Sequence, residues 1–381
     1  MSVVKILQKL IQFNTITPAD NGCMKFISGY LQNLGFMITP LNFIDDKGQE
    51  IRNLYARIGQ NSPNICFAGH VDVVPVTGNW TYPPFEGKII NNNIYGRGAV
   101  DMKGAIAAFL SILPDVLTTH KASISLLLTG DEEGPATHGT QKVIEYLLKK
   151  NEQIDLCIVG EPTSVNYVGD CLKIGRRGSL NGTLTVHGDS GHVAYPHNAN
   201  NPIPTMLRLL NVLEQIEFND KTEQFDASNL EITSVDVGNP TENVIPGSIS
   251  SRFNIRYTPK YTKESLIKYI GDLLLSTDAK NFSVTWKGNA EAFLASASPY
   301  SNFMQEAVKL VTGKSPTLST SGGTSDARFI THLCPVIECG LLNATAHKVD
   351  EYVSIDDLEN LSTIYKIFFS ALSREPTNTH M

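Results

Sequence analysis

No apolar run in this 381-residue sequence is long enough to cross a bilayer as a helix, which takes about 20 consecutive apolar residues. No two of its six cysteines (Cys23, Cys66, Cys157, Cys171, Cys334, Cys339) form a CxxC pair. Several sit inside apolar runs, where cysteine acts as a small hydrophobe, and a reducing cytoplasm is the simplest compartment for such a set. Basic charge is in short supply: 31 Lys and Arg stand against 38 Asp and Glu, a net charge of −7. That balance argues against a nucleic-acid partner, which needs a basic face. It does not exclude an anionic small substrate, because a few local arginines can outweigh the global field.

Two glycine motifs are incomplete. GRGAVDMKG (96–104) lacks the GK[ST] order of a phosphate loop, so its glycines point to close backbone approach. GDSG (188–191) has the look of a serine-protease nucleophile loop, but it sits mid-chain after a strand and no second glycine follows. The opening MSVVKILQKLIQF is apolar at Val3, Val4, Ile6, Leu7, Leu10 and Ile11 but is broken by Lys5 and Lys9, which reads as an amphipathic helix rather than a signal peptide. The final REPTNTHM reads as a frayed tail.

What is present has two textures, and the length alone favours two domains. From residue 1 to 177, apolar runs such as NICFAG (64–69), SISLLLTG (123–130) and DLCIVG (155–160) lack alternation. Strands buried on both faces read that way. They alternate with helical stretches such as GAIAAFLSILPDVL (104–117), which predicts an α/β domain with a mostly parallel twisted sheet flanked by helices. From 178 to 290, alternating segments and two helical ones follow in the order β-α-β-β-α-β, with Thr262 as a helix cap. That is a ferredoxin-like α+β domain. The α/β texture returns from 291 to 381, so residues 178–290 read as an insertion, with hinges near 173–178 and 287–290 that suggest closure over a substrate.

Ligands of open α/β sheets gather at the carboxyl ends of the strands. His70 and Asp72 follow the first of these apolar runs, Asp131, Glu132 and Glu133 the second, and Glu161 the third. Asp101 lies in the loop between the first two, and His347 follows a late apolar stretch. So many acids in one crevice would be costly without cations. Imidazole with carboxylate, and no paired thiolates, suits one or two zinc-like ions in a catalytic site. In a strand, residues i and i+2 face the same way, so the Asp72 carboxylate can accept the second N–H of His70. Of the neighbours Glu132 and Glu133, one would serve the metal and the other proton transfer.

GHVDVVP (69–75), GRGAVDMKG (96–104), TGDEEG (129–134), GEP (160–162), GHVAYPH (191–197), SGGTSDARF (321–329) and NATAHKVDEYV (343–353) occur in this order. Together they resemble the dinuclear zinc aminoacylase/carboxypeptidase family of amidohydrolases, over essentially the whole chain. The resemblance implies two zinc ions per subunit, with cobalt possible in one site. His70, Asp101 and Glu161 would hold one ion, and Asp101, Glu133 and His347 the other. It further implies a cis peptide after Asp101, Glu132 as general base and then acid, and Asp72 as the group orienting His70. His192 would reach across a homodimer interface, formed by the inserted domain, to stabilise an oxyanion.

Within that family, KIGRRGSLNGTLTVHG (173–188) and GHVAYPH point to hydrolysis of N-succinyl-L,L-2,6-diaminopimelate to succinate and L,L-2,6-diaminopimelate, a step of lysine biosynthesis. Arginine forks suit its carboxylates, which singles out Arg176 and Arg256, with Arg177 beside them. Asn243, Gly323, Thr324 and Ser325 are further candidate donors. Acetylornithine deacetylation, or aminoacylase or dipeptidase activity, would use the same metal centre. A regulatory or scaffold protein that has lost catalysis is the rival from another class, and Glu132 speaks against it, because holding metal does not require it. His120, His138, His187, His197, His332 and His380 read as surface or structural residues.

Overall fold

The computed structural model describes residues 1–119 and 122–372. His120, His380 and the tail from 374 lie outside the described residues. The chain forms two compact units, one of residues 1–174, 295–319 and 325 onward, the other of 175–294 and 320–324.

The first unit is built on an eight-stranded sheet. Its centre is parallel: Ser123–Thr129, Asn64–His70, Leu156–Val159 and Val336–Glu338 lie side by side in that order. Every residue of Asn64–His70 and Ser123–Thr129 is buried, which accounts for their unbroken apolar texture. The margins are mixed. Met37–Ile44 and Glu50–Ile58 form an antiparallel hairpin that extends the sheet beside Ser123–Thr129. Its turn is closed by Asp45, whose Oδ1 accepts from Lys47 N and Gln49 N. On the other side Val336–Glu338 meets Cys171–Lys173 antiparallel, and Thr317–Ser319 adds a parallel edge. The helix Lys103–Thr119 is buried along most of its length and packs against Val3–Ile11 and Ile355–Leu372. Phe67 of the sheet stacks on Phe109 of that helix at 4.4 Å. All six cysteines are buried and free.

The second unit carries a four-stranded antiparallel sheet in the order Asn229–Asp236, Ser248–Tyr257, Gly178–His187, Phe282–Ala290. With the helices Pro202–Glu214 and Lys263–Leu275 it makes the β-α-β-β-α-β arrangement. Leu180, Leu184, Val186, Phe253 and Ile255 of the sheet share one core with Met206, Leu209, Leu266 and Ile270 of the helices. A Cβ at Gly182 would stand 2.2 Å from the Phe253 ring, so the strand needs glycine where that ring crosses it. Thr262 and Ser265 form a reciprocal capping box at the start of Lys263–Leu275.

The unit boundaries differ from 178 and 290 for a local reason. Gly175–Arg176 pairs with Phe293–Leu294, which draws both connections into the second unit. Residues 320–324, read from sequence as part of the larger domain, also belong to it: the Thr320 hydroxyl donates to Gln224 O, and Arg176 Nη1 donates to Gly323 O at 3.1 Å. Among the described residues no helix is long and apolar enough to cross a membrane.

Candidate metal centre

The central parallel strands deliver their carboxyl ends to one place. Asn64–His70 ends on His70 itself, Glu132 and Glu133 follow Ser123–Thr129, and Glu161 follows Leu156–Val159. Asp101 is brought in by the loop that opens Lys103–Thr119, and His347 by the turn after Asn343–Thr345. His347 adopts φ 62°, a conformation that non-glycine residues hold mainly where their surroundings demand it. The Asp101–Met102 peptide is cis, as the family resemblance implied.

The two oxygens of Asp101 face different histidines. Its Oδ1 is 3.1 Å from His70 Nε2, and its Oδ2 is 3.1 Å from His347 Nε2. Glu161 Oε1 lies 3.8 Å from His70 Nε2, and Glu133 Oε1 lies 2.8 Å from His347 Nε2. Two atoms bound to one tetrahedral zinc-like ion, each at about 2.0–2.2 Å, stand about 3.3–3.6 Å apart. On the His70 side the separations of 3.1 and 3.8 Å bracket that value; on the His347 side those of 3.1 and 2.8 Å fall a few tenths of an ångström short of it. The donor set of imidazole and carboxylate is also of the right chemistry, so these residues fit a pair of divalent ions sharing Asp101.

The electrostatics express the same need. Burial opposes charge on His70, but its bond to Asp101 and the field of Glu161 outweigh that and raise its pKa well above the usual value. His347 is pushed up to about 10 by its bonds to Asp101 and Glu133. Burial raises the Asp101 pKa, but the bonds from the two histidines overcome it and leave the carboxyl well below the usual range. Glu132 is held well above the carboxylate range by burial and by neighbouring Glu161. Its carboxylate lies within 4.8 Å of ligand atoms of both His70 and Glu161. Divalent ions held by these residues would stabilise the charged carboxylates directly.

Asp72 does not orient His70 through its side chain. His70 Nδ1 is 2.9 Å from the backbone carbonyl of Asp72, and the nearer carboxylate oxygen is 3.7 Å away. The strand ends at His70, so the same-face rule that put the two side chains together no longer applies. The buried carboxylate instead accepts from Glu132 N at 3.3 Å and Glu133 N at 3.0 Å. It thereby sets the backbone of the two acidic neighbours.

The remaining candidates fall mostly in the second unit. His192 pairs with Val244 in a short ribbon, is exposed, and accepts from Ala194 N through Nδ1 at 3.0 Å. Asn243 adjoins it across that ribbon, with its carbonyl accepting from Val193 N. Arg256 is half-buried, and burial with the nearby charge of Arg177 lowers its pKa. Arg177 is committed to Ala227 O and Asn229 Oδ1, and Arg176 is buried. Gly323 is exposed and Thr324 half-buried. Ser325 belongs to the first unit, is fully buried, and donates its hydroxyl to Glu338 Oε1 at 2.7 Å. That hydroxyl is engaged with Glu338 inside the protein. His187, His197 and His332 are exposed and His138 is half-buried.

Two acids escaped the sequence reading although they stand in the motifs quoted for it. Asp326 is buried and pairs with Arg328, whose Nη1 lies 3.5 Å from its Oδ1. Glu351 is fully buried and accepts from Arg97 and from backbone N–H groups of the Asp101 loop. For Asp326 the available signal was a charge flanked by the small residues Ser325 and Ala327; Glu351, between Asp350 and Tyr352, offered no such signal.

Residues 66–371 match peptidase family M20/M25/M40. The chain belongs to that family. It is 46% identical over 371 residues to a succinyl-diaminopimelate desuccinylase of Pelagibacter ubique, covering 95% of this chain and 96% of that one. It is 47% identical over 370 residues to a succinyl-diaminopimelate desuccinylase of Ehrlichia canis, covering 96% and 97%. Among solved structures, an M20 family metallo-carboxypeptidase from Sulfolobus solfataricus superposes with a TM-score of 0.82 at 18% identity, covering 98% of this chain and 99% of that one. At that identity the likeness concerns the M20 fold alone.

Proposed function

We propose that this M20 enzyme hydrolyses N-succinyl-L,L-2,6-diaminopimelate to succinate and L,L-2,6-diaminopimelate in lysine biosynthesis. The observation that carries the reading is its 46–47% identity, over nearly the full length of both chains, to two relatives named for that reaction. The site supports it chemically, because amide hydrolysis needs an activated water and a protonated leaving amine.

Two zinc ions, with cobalt able to replace one, are the ions best suited to the His70–Asp101–Glu161 and Asp101–Glu133–His347 sets. Bound there, they would polarise the amide carbonyl and lower the pKa of water. Glu132 takes the proton of the attacking water and returns it to the departing amine, a role suited to a carboxyl whose pKa is already raised. Asp72 holds the main chain of Glu132 and Glu133 in place. His192, delivered by the second unit of a partner subunit in a homodimer, donates to the oxyanion. Arg176, Arg256, Asn243, Gly323 and Thr324 recognise the carboxylates of the substrate. Six free, buried thiols suit a reducing cytoplasm.

The test is to offer the zinc-loaded protein N-succinyl-L,L-diaminopimelate and N-acetylornithine side by side, with release of free amine as the readout. Rapid cleavage of the succinyl compound is expected. Cleavage of the acetyl compound alone would keep the metal site and overturn the substrate.

A further inference from the structure

Asp101 and His347, two ligands of one proposed ion, come from loops far apart in the chain, and neither ends a strand. What ties the loops together is Glu351, fully buried and four residues beyond His347. Its Oε1 accepts from Val100 N at 2.9 Å and Asp101 N at 3.2 Å. Its Oε2 accepts from Gly98 N at 3.0 Å and from Arg97 Nη1 at 2.9 Å. Arg97, itself buried, also donates to Lys348 O at 3.1 Å, and Gly96 N donates to the Glu351 carbonyl at 2.9 Å. Gly98 holds φ +83°, and a Cβ there would come 2.8 Å from Val73, so this turn needs glycine to aim its N–H at the carboxylate. One carboxylate thus clamps the backbone leading into Asp101 to the loop that carries His347.

The other ion's ligands are fixed differently. His70 ends one strand and Glu161 closely follows another, and those two strands are hydrogen-bonded in register. We propose that Glu351 is a positioning residue that sets the affinity of the ion held by Asp101, Glu133 and His347, with a smaller effect on the ion held by His70, Asp101 and Glu161. This rests on the two-ion reading above. Groups that orient metal ligands typically contribute about 10–100-fold to metal affinity.

The experiment is a zinc titration of the full-length metal-free protein against a chromophoric chelator, comparing wild type with Glu351→Gln. Wild type should bind two ions. The variant should lose about 10–100-fold in affinity for one of them and much less for the other. Equal loss at both ions, or no loss at either, would overturn the clamp. A wild-type protein that binds fewer than two ions would instead overturn the two-ion reading. Because Glu351→Gln leaves Arg97 buried without its counter-charge, the pair Glu351→Gln with Arg97→Met is titrated as well, and its fold is checked by circular dichroism. The unequal loss should persist in the pair. Restored binding of both ions would assign the effect to the stranded arginine and sink the proposal.

Discussion

The two units hold their candidate residues in opposite ways. In the first, the proposed ligands engage one another and most are shielded: His70 is 1% exposed and both oxygens of Asp101 are engaged by histidines, and only the His347 side chain, 51% exposed, reaches out of the cluster. In the second, His192 and Asn243 ride on an exposed ribbon, the adjoining Tyr195 is 57% exposed, and Arg256 feels the charge of Arg177 with no carboxylate paired to it among the described residues. Chemistry needs ligand atoms placed to a fraction of an ångström, which strand ends backed by a core can supply. Recognition of a charged substrate needs donors that are still free to be used. We read in the contrast a division of labour, with metal binding and proton transfer in the first unit and substrate capture and oxyanion contact in the second.

Replacing Glu132 by Gln tests the first half most severely. Zinc content should stay at the wild-type level, while turnover falls by about 10²–10⁴, the usual contribution of a positioned general base. Retained turnover would remove Glu132 from the mechanism and weaken the claim that the first unit carries the chemistry. His192→Ala comes next, with an expected loss of about 10²–10³ in turnover, as for other oxyanion donors. Mixing the two inactive variants sharpens the comparison. If His192 serves the partner's site in a two-fold dimer, random subunit exchange should restore about a quarter of wild-type activity, because one site in each mixed dimer is complete. No recovery after verified exchange would mean that His192 acts within its own subunit or not at all.

The parts of this division legible in the sequence were those governed by local periodicity. Asn64–His70 and Ser123–Thr129 were readable because burial on both faces leaves an unbroken apolar run. The second unit was readable because its strands have one apolar face, as the alternating burial of Gly178–His187 records. The hairpin of Met37–Ile44 and Glu50–Ile58 escaped, since its edge strand is only patchily buried and carries no clear period. The ligands were found because they follow strand ends in chain order. For Asp72 the same-face rule was carried past the end of the strand at His70, where the Asp72 main-chain carbonyl lies nearer His70 Nδ1 than its carboxylate does. Nothing in SGGTS reveals that the Ser325 hydroxyl points inward to Glu338. Glu351 could not be read at all: its partners Arg97, Gly98, Val100 and Asp101 are some 250 residues away in sequence.

A smaller effect should come from Arg256→Lys. If the guanidinium forks onto a substrate carboxylate, the point charge of lysine forfeits the paired geometry. Loss of one charged hydrogen bond, about 1.5–3 kcal/mol, corresponds to roughly 10–100-fold in KM, with kcat and zinc content largely preserved. A fall in kcat at constant KM would move Arg256 from capture to chemistry and blur the division between units.

The smallest effect concerns stability alone. The Thr262 side chain accepts from Ser265 N at 3.2 Å, and Thr262 N donates back to Ser265 Oγ at 2.9 Å. Thr262→Ala removes that cap and should cost about 1 kcal/mol. The cost should fall on Lys263–Leu275 and the strands it covers, because the cap's bonds lie within the second unit. Hydrogen exchange read residue by residue checks this: protection should drop across the second unit's sheet and helices, while amides of Asn64–His70 and Ser123–Thr129 keep theirs. An equal drop in both units would mean that they open as one cooperative body, and the separation of capture from chemistry would then have no counterpart in stability.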